Sequence, residues 1–96
     1  MFAFGDKEWP GIAKLNEESG ELVQVIGKLM MTHGKAEYWN GVDLRVNLVQ
    51  EMADAAAAID FVMKHALTEV ERHTLIARLK EKFALYETWH AEQAEP

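Results

Sequence analysis

The chain has 96 residues, 49% of them hydrophobic and 27% charged, which fits one small globular domain and excludes a disordered chain. Its net charge of −6 and pI near 5.1 argue against a nucleic-acid partner, which needs a basic face, although an acidic protein can still bind a polyphosphate through intervening cations. The absence of cysteine excludes disulfides and thiolate metal sites, and fits a reducing cytoplasm.

The opening stretch, MFAFGDKEWPG, lacks the basic region and long apolar run of a signal peptide. Nowhere does an apolar run approach the ~20 residues of a membrane span, so no membrane partner is expected. Pro10 suits the first helical position, where a missing N–H costs nothing. Leu15, Leu22, Val25, Ile26 and Leu29 then recur at a helical period, and Gly34 suits the C′ position. These signals predict a first helix over about 11–33. The stretch 34–42 is polar and glycine-bearing, carries Tyr38 and Trp39, and reads as a loop.

Asn40 or Asp43 is the expected cap of a second helix over about 43–66. Its expected buried side holds Leu44, Leu48, Met52, Ala55, Ile59, Val62 and Met63. Thr68 and Glu71 form a capping-box pattern that opens a third helix. That helix carries Leu75, Ile76, Leu79, Phe83, Tyr86 and Trp89 to about residue 91, after which the tail is expected to fray. No strand signal competes, so the chain reads as all-α. Three helices leave a four-helix bundle one member short, and oligomerisation would supply the rest.

The polar residues of the first helix are not spread evenly. At about 100° per residue, Lys14, Glu17, Glu18, Glu21, Gln24 and Lys28 share one arc of about 120° that borders the apolar face. Glu51 and Asp54 form a neighbouring pair on the second helix, preceded by Asn47 and continued by Ala58, Phe61 and His65. Antiparallel packing of the two helices would bring Glu17, Glu18, Glu21, Glu51 and Asp54 together, and Ala55 to Ala58 would permit close approach. Two charges 4 Å apart repel by about 4 kcal/mol at an effective dielectric of 20. Such a group needs protons or cations, and an all-oxygen set selects hard ions such as Mg²⁺ or Mn²⁺.

Glu17-Glu18-x-x-Glu21 followed by Glu51-x-x-Asp54 resembles the EExxE…ExxD signature of the MazG-like all-α nucleoside triphosphate pyrophosphohydrolases. The stretches WPGIAKLNEESGEL and EMADAAAAIDF extend the resemblance over roughly residues 9–66. The short chain resembles the compact versions that phages carry, which implies a bacterial host cytoplasm. The family implies Mg²⁺-dependent cleavage of a nucleoside triphosphate between its α and β phosphates, by a homodimer or dimer of dimers. The resemblance implies metal binding by Glu18, Glu21, Glu51 and Asp54. Glu17 becomes either a ligand or the group that deprotonates water, and the division of the catalytic roles between Glu17 and Glu18 stays open. A purine deoxynucleotide such as dGTP is the expected substrate.

Competing expectations attach to the same residues. Taken alone, Glu17, Glu18 and Glu21 read as a solvated face; the second acidic pair weighs against that. Lys14 and Lys28 either pair with nearby glutamates or contact substrate phosphate. Tyr38 and Trp39 either anchor the loop or meet a base, with His33 and Asn47 as further base or sugar contacts. Met30, Met31 and the aromatic stripe of the third helix read as core or subunit interface. His65, His73 and His90 lack a metal-site partner pattern. A ferritin-like di-metal protein would need Glu-x-x-His on two helices, and Glu87-x-x-His90 is the single match. A non-catalytic helical interaction module is the remaining alternative class.

Overall fold

A computed structural model describes residues 4–94, which fold as three helices: α1 (Ile12–Met31), α2 (Leu44–His65) and α3 (Glu69–Ala94). Among the described residues the sole β feature is an isolated bridge between Glu37 and Asp43, so the all-α expectation holds. No helix among them is long and apolar enough to cross a membrane. The chain divides into two compact units, residues 1–66 and 67–96.

The first unit is an α1–α2 hairpin. Its helices run antiparallel, since Gly11 at the start of α1 meets Phe61 and Val62 near the end of α2. The start of α1 is capped from a distance. Gly11, in the left-handed region at φ 82°, makes no side-chain cap. Instead the Phe4 carbonyl accepts from the N–H groups of Ala13 and Lys14, at 3.1 and 3.2 Å, and the Trp9 carbonyl accepts from Ile12 at 3.2 Å. Asp6 holds this strap in shape, its Oδ1 accepting from the N–H groups of Glu8 and Trp9. The orphan donors of the first turn are thereby satisfied by main chain.

α1 ends at Met31, two residues before the expected end, and its C′ position comes one residue earlier than expected. His33, not Gly34, occupies the left-handed C′ position, at φ 56°. The Gly34 N–H reaches back to the Leu29 carbonyl at 2.8 Å and the His33 N–H to Met30 at 3.2 Å, the paired bonds of a Schellman motif. The connection to α2 is an ordered turn: Tyr38 N–H donates to Val42, and Gly41 N–H donates back to Tyr38, both at 2.9 Å. Asp43 is the N-cap of α2, accepting from Arg45 and Val46 N–H groups at 2.9 and 3.1 Å, while Asn40 caps only the turn at Val42.

Val25, Leu44, Ala55, Ala58 and Val62 form the buried core, with Leu44 wholly enclosed. Met52 and Ile59, expected on the buried side of α2, are exposed, as are Val23, Ile26, Met30 and Met31 on α1. A helix pair offers each member one partner, so an apolar arc wider than that contact stays open. The second unit opens with the expected capping box: Thr68 N–H donates to Glu71 Oε1 at 2.8 Å, and Glu71 N–H donates to Thr68 Oγ1 at 3.1 Å. From there α3 continues to Ala94, three residues past the expected end near 91. Val70, Leu79, Phe83, Tyr86 and Trp89 are exposed along it.

Candidate metal centre

Glu18 lies at the border of the apolar face of α1, and it is buried where α1 and α2 pack together. Glu18 is only 6% exposed, the one buried charged residue among those described. Glu51 and Asp54 face it from one turn of α2, and carboxylate oxygens of the three lie within 4.8 Å of one another. Among the described residues these three form the one group of acidic or histidine side chains close enough to share a metal ion.

Two oxygens test whether a cation fits. Glu18 Oε2 and Glu51 Oε2 are both buried and have no hydrogen-bond partner. An unpaired buried acceptor is costly, and a buried carboxylate more so. Glu18 Oε1, by contrast, is paired with Lys14 Nζ at 3.1 Å. The set therefore holds two unsatisfied buried oxygens, one from each of the facing helices. With oxygen donors and no imidazole or thiolate, it suits a hard divalent ion.

Glu21 adjoins the group. Its carboxyl is held above the usual carboxylate range, first by the negative charge of Glu18, then by a hydrogen bond with Glu51, with desolvation and the Glu51 and Glu17 charges adding to the effect. Lys14 shifts upward from its ordinary value, because the hydrogen bond to Glu18 and the charges of Glu17 and Glu18 favour its ammonium form. Glu17 stands apart from its neighbour. Its side chain is 54% exposed and meets Lys14 Nζ at 3.5 Å.

A cleft of about 410 Å³ opens beside the carboxylates, lined by Lys14, Glu18 and Asp54 at one end and by Phe4, Gly11, Ala57, Ala58 and Phe61 at the other. Phe4 packs edge-on against Phe61, with ring centroids 5.0 Å apart, and the Phe61 and His65 rings lie 4.3 Å apart. Gly11 is required here on two counts. Its φ is positive, and an added Cβ would stand 2.6 Å from Phe61 Cδ1.

Of the other expected contacts, Lys28, His33, Tyr38 and Trp39 lie towards the opposite end of the hairpin. Lys28 is ten residues, about 15 Å, along α1 from Glu18, and its Nζ sits 5.6 Å from the centre of the Tyr38 ring. Tyr38 and Trp39 contact each other at 5.9 Å, and Trp39 is 84% exposed. His33 is exposed in the helix-ending turn, and Asn47 is half-buried one turn before Glu51. Glu87 and His90 are exposed on α3.

Phe4 and Gly11 carry no sequence signal of a cleft, and Ala57 shows only as one of the four alanines that permit close helix approach. The strap that carries Phe4 has no helical period, and the residue acts on α1 through its carbonyl, which every residue type possesses. Gly11 left one trace, a glycine directly before a helix start. No family model, curated protein or solved structure matches the chain.

Proposed function

We propose that this chain hydrolyses a nucleoside or deoxynucleoside triphosphate to its monophosphate and pyrophosphate, with Mg²⁺, or Mn²⁺ in its place, held by Glu18, Glu51 and Asp54. The observation that carries the reading is a group of three close carboxylates in which Glu18 and Glu51 each keep a buried, unpartnered oxygen, beside a cleft lined by Glu18 and Asp54. The resemblance of the two acidic motifs supplies the reaction class.

When bound, the ion supplies charge neutralisation for the phosphates and for the transition state. Lys14, at the cleft, adds a positive charge for a phosphate oxygen. Glu21 adjoins Glu18 and Glu51 as the further ligand or the support of the ligand set. Glu17 or Glu18 accepts the proton of the attacking water; the exposure of Glu17, outside the buried group, favours it for that role. Water then bonds to the α-phosphorus, the bond to the oxygen bridging α and β breaks, and pyrophosphate leaves with that electron pair. The apolar residues left exposed on α1, α2 and α3 support assembly as a homodimer or dimer of dimers.

The test is a panel of all ribo- and deoxynucleoside triphosphates, purines such as dGTP included, with Mg²⁺ or Mn²⁺, resolving monophosphate, pyrophosphate and orthophosphate. Monophosphate and pyrophosphate in equal amounts are expected, with Asp54→Asn lowering kcat by at least about 10²-fold, the scale set for removing a key charge-stabilising group. Absence of turnover with every nucleotide overturns the proposal, and orthophosphate with a diphosphate overturns the bond assignment.

A further inference from the structure

The cleft has two chemically different ends on one face of α2. Asp54 and Phe61 are seven residues apart, two turns or about 10 Å, and 700° of helical rotation returns them to almost the same direction. Between them Ala57 and Ala58 present only methyl groups, so the cleft stays open. At the far end Phe4, Gly11 and Phe61 form an apolar wall. The volume of about 410 Å³ falls in the range of small-molecule sites, roughly 300–1,000 Å³, which characteristically join an apolar lining to a few fixed polar groups.

We infer that the Phe4–Ala57–Phe61 end of this cleft is the subsite for the base of a nucleotide whose phosphates lie at the carboxylate end. This rests on the reading of Glu18, Glu51 and Asp54 as a cation site that meets those phosphates. A ligand anchored there reaches the Phe4–Phe61 wall within two helical turns. The aromatic residues of the α1–α2 turn are farther off: Lys28, which meets Tyr38, already lies about 15 Å along α1 from Glu18. A planar, weakly polar ring suits this apolar end, lined by Phe4, Phe61 and the methyls of Ala57 and Ala58, where a bare phosphate would lose its water without gaining a donor.

The strap explains how Phe4 is fixed. Its carbonyl caps α1 at Ala13 and Lys14, and its ring meets Phe61, so the residue that ends the cleft also starts the helix that carries Lys14 and Glu18. The capping bonds use only main chain, so the ring can be removed while the cap stays. Ala57 is exposed, so a larger side chain there fills the cleft without entering the core.

Calorimetric titration of the Mn²⁺-loaded protein tests this, with dGMP, dAMP, dCMP and dTMP as probes and ribose 5-phosphate as the base-free control. At least one deoxynucleotide is expected to bind more tightly than ribose 5-phosphate by roughly 5- to 150-fold, the worth of one base–aromatic contact. Ala57→Leu and Phe4→Ala are expected to erase that preference while leaving Mn²⁺ affinity and helical content unchanged. Equal binding of ribose 5-phosphate and all four deoxynucleotides overturns the inference, as does a preference that survives both substitutions. If Trp39→Ala erases the preference instead, the base lies at the turn. Hydrolysis that persists while the preference is absent leaves the enzymatic reading standing and removes the subsite. Base-dependent binding lost in Ala57→Leu, with no turnover, does the reverse.

Discussion

Burial changes what a carboxylate does at position 18. On α1, Glu17 keeps its water and a loose contact with Lys14, whereas Glu18 loses its water and leaves one oxygen without a partner. A neutral side chain of the same shape would relieve that cost, since Gln can donate to Glu51 or Asp54 and still accept from Lys14. Glu18→Gln is therefore expected to raise metal-free stability by about 1 kcal/mol, the low end of the cost of a buried unsatisfied group, since Lys14 is half-exposed and keeps its water when the ion pair is lost. It is also expected to abolish the rise in Tm on adding Mn²⁺. In the native chain that rise corresponds to about 2.7 kcal/mol at a metal concentration of 100 Kd. Thermal denaturation with EDTA and with Mn²⁺ checks both halves. A variant that loses stability without metal, or keeps the Mn²⁺ response, contradicts this account of Glu18.

The hairpin that sets these carboxylates face to face depends on α1 holding straight over 20 residues, and α1 contains Gly20 and Gly27. Around Gly27 an added Cβ would meet nothing within 4 Å, so only the intrinsic cost of glycine in a helix remains. Gly27→Ala is expected to raise stability by about 1 kcal/mol, read as a higher urea midpoint at an unchanged m-value. No gain would mean that this face of α1 is closely covered in the folded assembly. Much at this scale could be read in advance. Asp43, and Thr68 with Glu71, are caps because their side-chain oxygens reach nearby N–H groups, a relation short enough to show in sequence. The cap of α1 could not be foreseen, because the acceptor is the carbonyl of Phe4, nine residues before the donor of Ala13. His33 at C′ was hidden for a related reason: glycine is favoured there, and Gly34 stood one place away.

In the molecule as a whole, the acidic pattern was legible because a helical wheel fixes direction within each helix, and two short motifs then fix which turns must meet. Exposure was less legible: Met52 and Ile59 satisfy the period of a buried stripe, yet a two-helix hairpin lacks the second partner that would cover them. The charge gathered at that contact also ties stability to pH. Glu21 binds its proton more tightly in the folded chain than at its ordinary value of 4.5, chiefly because of the Glu18 charge. A raised folded-state value contributes stability that is fully present below the unfolded value and is lost as the pH rises through the folded one. Without metal, the native chain thus loses this contribution between acid and neutral pH, whereas Glu21→Gln does not titrate there. The Tm of Glu21→Gln relative to the native protein, both in EDTA, is expected to climb as pH rises from 4 to 7. On the proposed reading divalent metal reverses the sense for the native chain, since a nearby cation favours the ionised form of Glu21. The stabilisation by Mn²⁺ should therefore be larger at neutral than at acid pH. A difference that stays flat across that interval would show that Glu21 carries its charge in the fold as easily as it does in water, and that the carboxylates of α1 and α2 do not share one electrostatic centre.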